Sequence, residues 1–317
     1  MEGGSNSTVR GLGFAFLAFA LFATHDAIIK AVGQTYSVFQ ILFFAMLFAF
    51  VPMTVLVLAD RSTGNFRPHN PGLIFIRSAI HIFAMSAAFY AFSVLPLAEV
   101  YALLFATPLL ITALSVPLLG ETVRMQRWAA VIVGLIGVLI VLRPGASTLT
   151  AGHFAAMGAA CASSLAAIII RKIGSEERSA VLILYPMLSS IVAMAIVMPW
   201  VYVPVSLPDL GLMAAIGLLS VVAQLGTITA YRFAPAAVIA PMQYSQILWA
   251  TLFGAVFFAE RPDGTVALGA GVIIASGIFI VWRESRANVS ERNPVLRTPN
   301  PRFDAGPTPR PKIWKRK

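Results

Sequence analysis

His25 and Asp26 stand side by side inside an apolar run that opens near Gly11, and Lys30 follows one helical turn later. In a helix begun at residue 11 they lie roughly 22 Å along the axis at 1.5 Å per residue. That depth is inside an apolar slab about 30 Å thick. An ionisable group there is costly and marks a functional site by default, so Asp26 is a candidate for a carboxylate that takes up and releases a proton. The same residues also read as a structural pair, with Asp26 locked to His25 or Lys30. Lys30 taken alone is close enough to the helix end to snorkel. Arg77 and His81 are spaced i, i+4 on another apolar segment. Arg77 reads as a snorkelling anchor, whereas His81 lies deeper, where an interhelical hydrogen bond and a cavity contact both remain open. Glu99 opens a further segment; it either meets Lys30 across an external gate or acts as a favourable charge at a helix N-terminus.

A second polar group carries no charge. Gln224, Thr227 and Tyr231 fall at i, i+3 and i+7 on one helix face, and Gln243, Tyr244, Gln246 and Trp249 follow on the next segment. Amides read the edge of a planar ligand and aromatics stack on its faces, so these residues together suit a hydrogen-bonding planar metabolite. Taken singly, each reads as well as interhelical glue. Pro108 and Pro241 lie inside apolar segments as candidate kinks or hinges, where a missing N–H frees a carbonyl. Gly134, Gly137, Gly269 and Gly277 thin two helices for close packing, within one protomer or between two, which leaves a homodimer open. No HExxH, phosphate loop or nucleophile elbow is present, and the four histidines have no metal-ligand spacing. Neither a metal nor a cofactor is expected. The single cysteine, Cys161, excludes an internal disulfide.

These residues require membrane-spanning elements to hold them. With 58% hydrophobic and 11% charged residues among 317, the chain has too little polar surface to cover a soluble globule. Apolar stretches near the ~20 residues that cross a bilayer predict helices at 11–32, 37–59, 73–95, 97–119 and 126–142. A second set is predicted at 151–171, 179–203, 208–233, 235–258 and 264–283. The fold expected is an all-α polytopic membrane protein of ten transmembrane helices. The two sets repeat: Pro96-Leu97-Ala98 matches Pro235-Ala236-Ala237, Gly120-Glu121 matches Ala259-Glu260, and the run from Gly137 to Arg143 matches that from Gly277 to Arg283. Five crossings per block is an odd number, so the second block enters from the opposite side, as in the inverted repeats of secondary transporters. With a cytoplasmic N-terminus, all of the 23 Lys and Arg except Lys30, Arg143 and Arg261 fall inside, which places both termini in the cytoplasm. The net charge of +10 is therefore a topology signal and not a nucleic-acid footprint. The domains expected are a cytoplasmic N-terminus at 1–10, repeats at 11–143 and 151–284, and a disordered basic tail at 285–317, solvated or resting on anionic lipid.

Phe89-Tyr90-Ala91 through Glu99, Ala106-Thr107-Pro108 and Gly134 to Pro144 resemble the EamA domain of the drug/metabolite transporter superfamily. Ala230 to Pro235, Tyr244, Trp249-Ala250, Gly254 and Glu260-Arg261-Pro262 to Glu284 resemble its second copy. The resemblance covers residues 11 to 284 and implies two five-helix repeats related by a pseudo-twofold axis, with a central cavity for a small-molecule substrate. Ala23 to Lys30 resemble the branch of riboflavin and S-adenosylmethionine uptake carriers. The chain departs from that pattern at Ala45, where relatives often carry arginine, and at Gln243, where they carry an acid. The function expected is secondary transport of a small metabolite by alternating access in a bacterial inner membrane, riboflavin uptake first. S-adenosylmethionine or amino-acid carriage, as import or export, comes second. A membrane enzyme or scaffold built on His25 and Asp26 is the contrasting class, and it leaves the repeat unexplained.

Overall fold

The computed structural model describes residues 2–59, 66–120, 123, 125–144, 148–174, 176–234, 236–261 and 263–286. The basic tail expected from residue 285 lies outside them from 287 onward. The first half comprises α1 (Glu2–Val32), α2 (Val38–Ala59), α3 (Pro71–Val94), α4 (Leu97–Leu104), α5 (Thr107–Leu119) and α6 (Met125–Leu142). The second comprises α7 (Ala151–Ile173), α8 (Ser179–Val201), α9 (Leu207–Phe233), α10 (Ala236–Ile239), a 3-10 turn (Ala240–Ser245), α11 (Gln246–Phe258) and α12 (Gly264–Arg286). Among the described residues, eight stretches are helical, long and apolar enough to cross a membrane, taking Leu97–Leu119 as one; Gly264–Ile280 is a shorter apolar helix. The chain is therefore a multi-pass membrane protein. α1 begins at Glu2, well ahead of the apolar run.

The predicted fourth and ninth helices are each interrupted. Phe105 and Ala106 separate α4 from α5, and six residues of 3-10 helix separate α10 from α11. Pro108 is thus not a kink inside a helix: it occupies the first turn of α5, where its missing N–H is no loss to the new helix. The Leu104 carbonyl loses its ordinary partner instead. Pro241 has the same effect at the start of the 3-10 turn.

Packing follows the repeat. α1 lies on α9 as α7 lies on α3, and α2 lies on α9 as α8 lies on α3. α1 also meets the 3-10 turn and α11 as α7 meets α4 and α5. Two further pairs, α2 with α8 and α6 with α12, are each a helix and its counterpart. At the last of these, a Cβ on Gly137 would stand 2.9 Å from the Gly269 carbonyl oxygen, and one on Gly269 would stand 2.7 Å from that of Gly137. These glycines serve a crossing within one protomer. Gly277 makes room for the Tyr244 hydroxyl.

One end of the bundle, where α1 ends and α2 begins, is tied together by polar contacts. Lys30 Nζ lies 2.8 Å from Glu260 Oε1 and donates to the Leu95 carbonyl at 2.6 Å. Glu260 Oε2 accepts the Leu97 N–H at 2.9 Å. His153 Nε2 is 2.9 Å from Glu99, Tyr36 donates to Asp209 at 2.8 Å, and the Gln40 amide is bonded twice to the Val203 backbone. Arg143 pairs with Asp263. At the opposite end, among the described residues, the ties gather where the loop before α3 meets the loop before α8. There Asn70 bonds Glu177 and Glu176, and Tyr185 donates to the Phe66 carbonyl.

Candidate functional site

Asp26 is fully buried on α1, and His25 beside it is 2% exposed. His25 Nδ1 lies 2.9 Å from Asp26 Oδ1, and its ring meets Phe89 edge-on at 5.8 Å. The Tyr101 hydroxyl donates to Asp26 Oδ2. Tyr101 is held in place by α4, where its ring packs on Phe92 at 5.5 Å and Phe105 at 5.9 Å. α4 in turn opens with Glu99 in its first turn and with its Leu97 N–H satisfied by Glu260, which stabilises the start of a helix only eight residues long.

Tyr101 also lines a cavity between the two interrupted helices. Ala84, Met85 and Ala88 come from α3; Tyr101, Leu104, Phe105 and Thr107 from the α4–α5 break; Ser163 from α7; and Gln243 and Gln246 from the 3-10 turn and α11. No charged side chain is in this lining. Gln246 is 1% exposed, and its Nε2 has no hydrogen-bond partner. A buried donor without an acceptor is costly, and a ligand carbonyl or ring nitrogen would relieve it.

The other expected site residues are distributed differently. Gln243 lines this cavity; His81, Gln224, Thr227, Tyr231, Tyr244 and Trp249 do not. Thr227 gives its hydroxyl to the Ala223 carbonyl of its own helix at 2.9 Å. Tyr231 packs with the α1–α9 core, and Gln224 is buried on α9 with Oε1 unpartnered. Tyr244 stands edge-on to Phe105 at 5.0 Å, behind the wall, and its hydroxyl reaches Gly277. Trp249 packs on Phe16 at 5.2 Å and Phe253 at 6.0 Å, away from the cavity. Ala45 is buried where α2 meets Gly217 of α9.

Two basic residues read as snorkelling are buried instead. Arg77 donates to the Leu182 carbonyl at 2.6 Å, joining α3 to α8. Lys30 pairs with Glu260 and not with Glu99, which takes His153. A second depression lies over this tied end, lined in part by Glu99, Glu260, Arg261 and Asp263. There the Arg143 hydrogen bond, aided by the Thr265 N–H, holds the Asp263 carboxyl below the usual carboxylate range. Tyr101 and Glu260 are the participants that sequence reasoning missed. A tyrosine in an otherwise apolar helix, and a glutamate recurring at the repeat offset, were the available signals.

Interrupted helices around a buried cavity, one from each packing-equivalent half, are the architecture of a carrier. A family profile described as EamA-like transporter matches residues 9–143 and again 150–282. The chain belongs to the EamA-like transporter family. It is a transporter of that family and not an enzyme. An S-adenosylmethionine uptake transporter of Rickettsia bellii is 24% identical over 280 residues, spanning 87% of this chain and 95% of that protein. A riboflavin transporter of Vibrio cholerae is 28% identical over 199 residues, 62% of this chain and 67% of its own. A pseudopaline exporter of Pseudomonas aeruginosa is 24% identical over 84% of this chain and 94% of its own. A solved crystal structure covers 89% of the chain and 99% of its own at a TM-score of 0.58 and 18% identity, a likeness of fold alone.

Proposed function

We propose that this EamA-like transporter is a ten-span secondary carrier that takes up a planar, hydrogen-bonding metabolite across a bacterial inner membrane by alternating access. The single observation supporting this most directly is the uncharged cavity between the two interrupted helices, where Tyr101, Gln243 and Gln246 stand among apolar side chains. In this reading α4–α5 and α10–α11 are each one crossing, α12 is the tenth, and the halves are inverted with both termini in the cytoplasm. The tied end is then the outer end, closed in this conformation, with Lys30–Glu260 as part of its gate. Asp26 is the proton-coupling acid. Riboflavin is the first substrate to test, because amides at Gln243 and Gln246 suit the carbonyls and ring nitrogens of a flavin edge.

S-adenosylmethionine is the second reading, favoured by one feature: the cavity wall at Tyr101 is bonded to the Asp26 carboxylate, and a nearby anion suits a sulfonium cation. Uptake of each labelled solute into proteoliposomes, with the other as unlabelled competitor, separates the two. Accumulation of riboflavin that S-adenosylmethionine does not compete supports the first reading; the reverse supports the second. Movement of neither removes both.

A further inference from the structure

We propose that the Tyr101 hydroxyl is the switch that couples cavity occupancy to protonation of Asp26. The inference rests on the proposed reading of Asp26 as the coupling acid, and extends it to a positioning residue and to the sign of the coupling. Tyr101 lines the cavity and at the same time donates to Asp26 Oδ2. A phenol carries one O–H proton, so it can serve one strong acceptor at a time. A substrate acceptor placed beside Gln243 and Gln246, where the Gln246 Nε2 lacks a partner, competes with Asp26 for that proton.

The sequence of events needs no exotic step. With the cavity empty, the hydroxyl points at Asp26 and stabilises its charged form. When a carbonyl or ring nitrogen of the substrate takes the hydrogen bond, no bond in tyrosine breaks; its O–H turns. Asp26, fully buried, loses a donor, and a proton from the aqueous side then joins the carboxylate. Substrate and proton therefore bind with positive cooperativity, and the linkage is reciprocal. An inward proton gradient drives an inward substrate, which makes the carrier a symporter and an importer.

The titratable and charged groups on the elements around Asp26 do not supply a competing switch. α1 itself carries His25, bonded to Asp26, and Lys30, paired with Glu260. From α3 come Arg77, bonded to the Leu182 carbonyl, His81 and Tyr90; from α4, Glu99, paired with His153, and Tyr101. α9 carries Asp209, bonded to Tyr36 at the far end, with Tyr231 and Arg232 at its C-terminal end, and the 3-10 turn carries Tyr244. α10 and α11 carry none. Tyr101 is the described residue that both donates to Asp26 and lines the cavity.

Tyr101→Phe keeps the ring contacts to Phe92 and Phe105 and removes the hydroxyl, so folding is preserved and the switch is lost. With riboflavin as the probe, Tyr101→Phe removes a substrate hydrogen bond, so counterflow exchange itself should weaken. The ratio of gradient-driven accumulation to counterflow exchange should fall about tenfold, a factor within the ordinary range of coupling free energies. Adding Asp26→Asn should cause no further loss, as expected for two residues on one route. A second arm needs no ligand: infrared difference spectra assign the neutral Asp26 acid as the band lost in Asp26→Asn. That band should be stronger in Tyr101→Phe than in wild type at the same pH. A ratio of accumulation to exchange equal to wild type, or an unchanged acid band, overturns the proposal. If Asp26→Asn itself keeps gradient-driven accumulation, the coupling reading falls instead. If wild type moves no riboflavin, the substrate reading falls, and the infrared comparison alone decides the role of Tyr101.

Discussion

A lysine and a glutamate held 2.8 Å apart with side chains 10% and 16% exposed form a pair whose partners depend on each other. Removing one leaves a charge without its counter-ion in a dry place, at a cost of about 3–5 kcal/mol, whereas removing both with apolar replacements of similar volume is close to neutral. Lys30→Met and Glu260→Leu should each lower the melting temperature of the detergent-solubilised protein markedly, and the double variant should regain most of the loss. Asp26→Asn is a gentler change, since an amide oxygen still accepts the Tyr101 hydrogen bond. Its melting temperature should stay near wild type and riboflavin counterflow should remain measurable, while stimulation by a proton gradient disappears. Loss of folded protein would instead identify Asp26 and His25 as a structural pair. The burial of Asp26 was legible from the sequence, because a carboxylate in the middle of an apolar run has few affordable places to be. The partners were not. Tyr101 reads as packing in an apolar segment, and Lys30 stands close enough to a helix end that snorkelling and pairing look alike until Glu260 arrives from 230 positions further along the chain.

Helix interruptions carry the site, yet they leave almost no mark on hydropathy. Residues 97–119 read as one apolar span, and the chain stops and restarts at Phe105 and Ala106 without a charged residue beside the break to signal it. Pro108 was visible but was assigned to a helix interior, where its effect is a bend; at the first turn of a new helix the same ring is compatible with regular geometry. Eight of the ten predicted spans were legible, among the described residues, because length and apolarity are set by the bilayer. The amide wall was half legible, since spacing grouped Gln243 with Tyr244 and Trp249 but could not say which side of a 3-10 turn faces the cavity. Glycine spacing was likewise readable as close packing, though not which crossing it served. At the α6–α12 contact, Gly137→Leu should overpack and cost about 1–3 kcal/mol or more. Gly271→Ala, with no atom within 4 Å of the added carbon, should be neutral or stabilise by up to about 1 kcal/mol. Thermal melts of the two variants side by side check both.

For the molecule as a whole, the pairs α1–α9, α2–α9, α2–α8 and α6–α12 each map onto another pair or onto themselves when the halves are exchanged. The proposed inversion across the membrane then predicts the labelling pattern. In a Cys161→Ser background, an impermeant thiol reagent should reach single cysteines placed at 144–150 and 260–263 from outside intact cells, but not one placed at 61–70. Reaction at 61–70 would reverse the orientation and with it the identity of the outer gate. The two halves share a plan but not a task. Asp26, His25 and Tyr101 all belong to the first, while the amides of the cavity wall, Gln243 and Gln246, belong to the second. After an ancestral duplication, and on the proposed reading of Asp26 as the coupling acid, such a division lets one copy stay under constraint while the other drifts. On that reading a new cargo is met by changes in the second copy's amide wall, with the acid left alone.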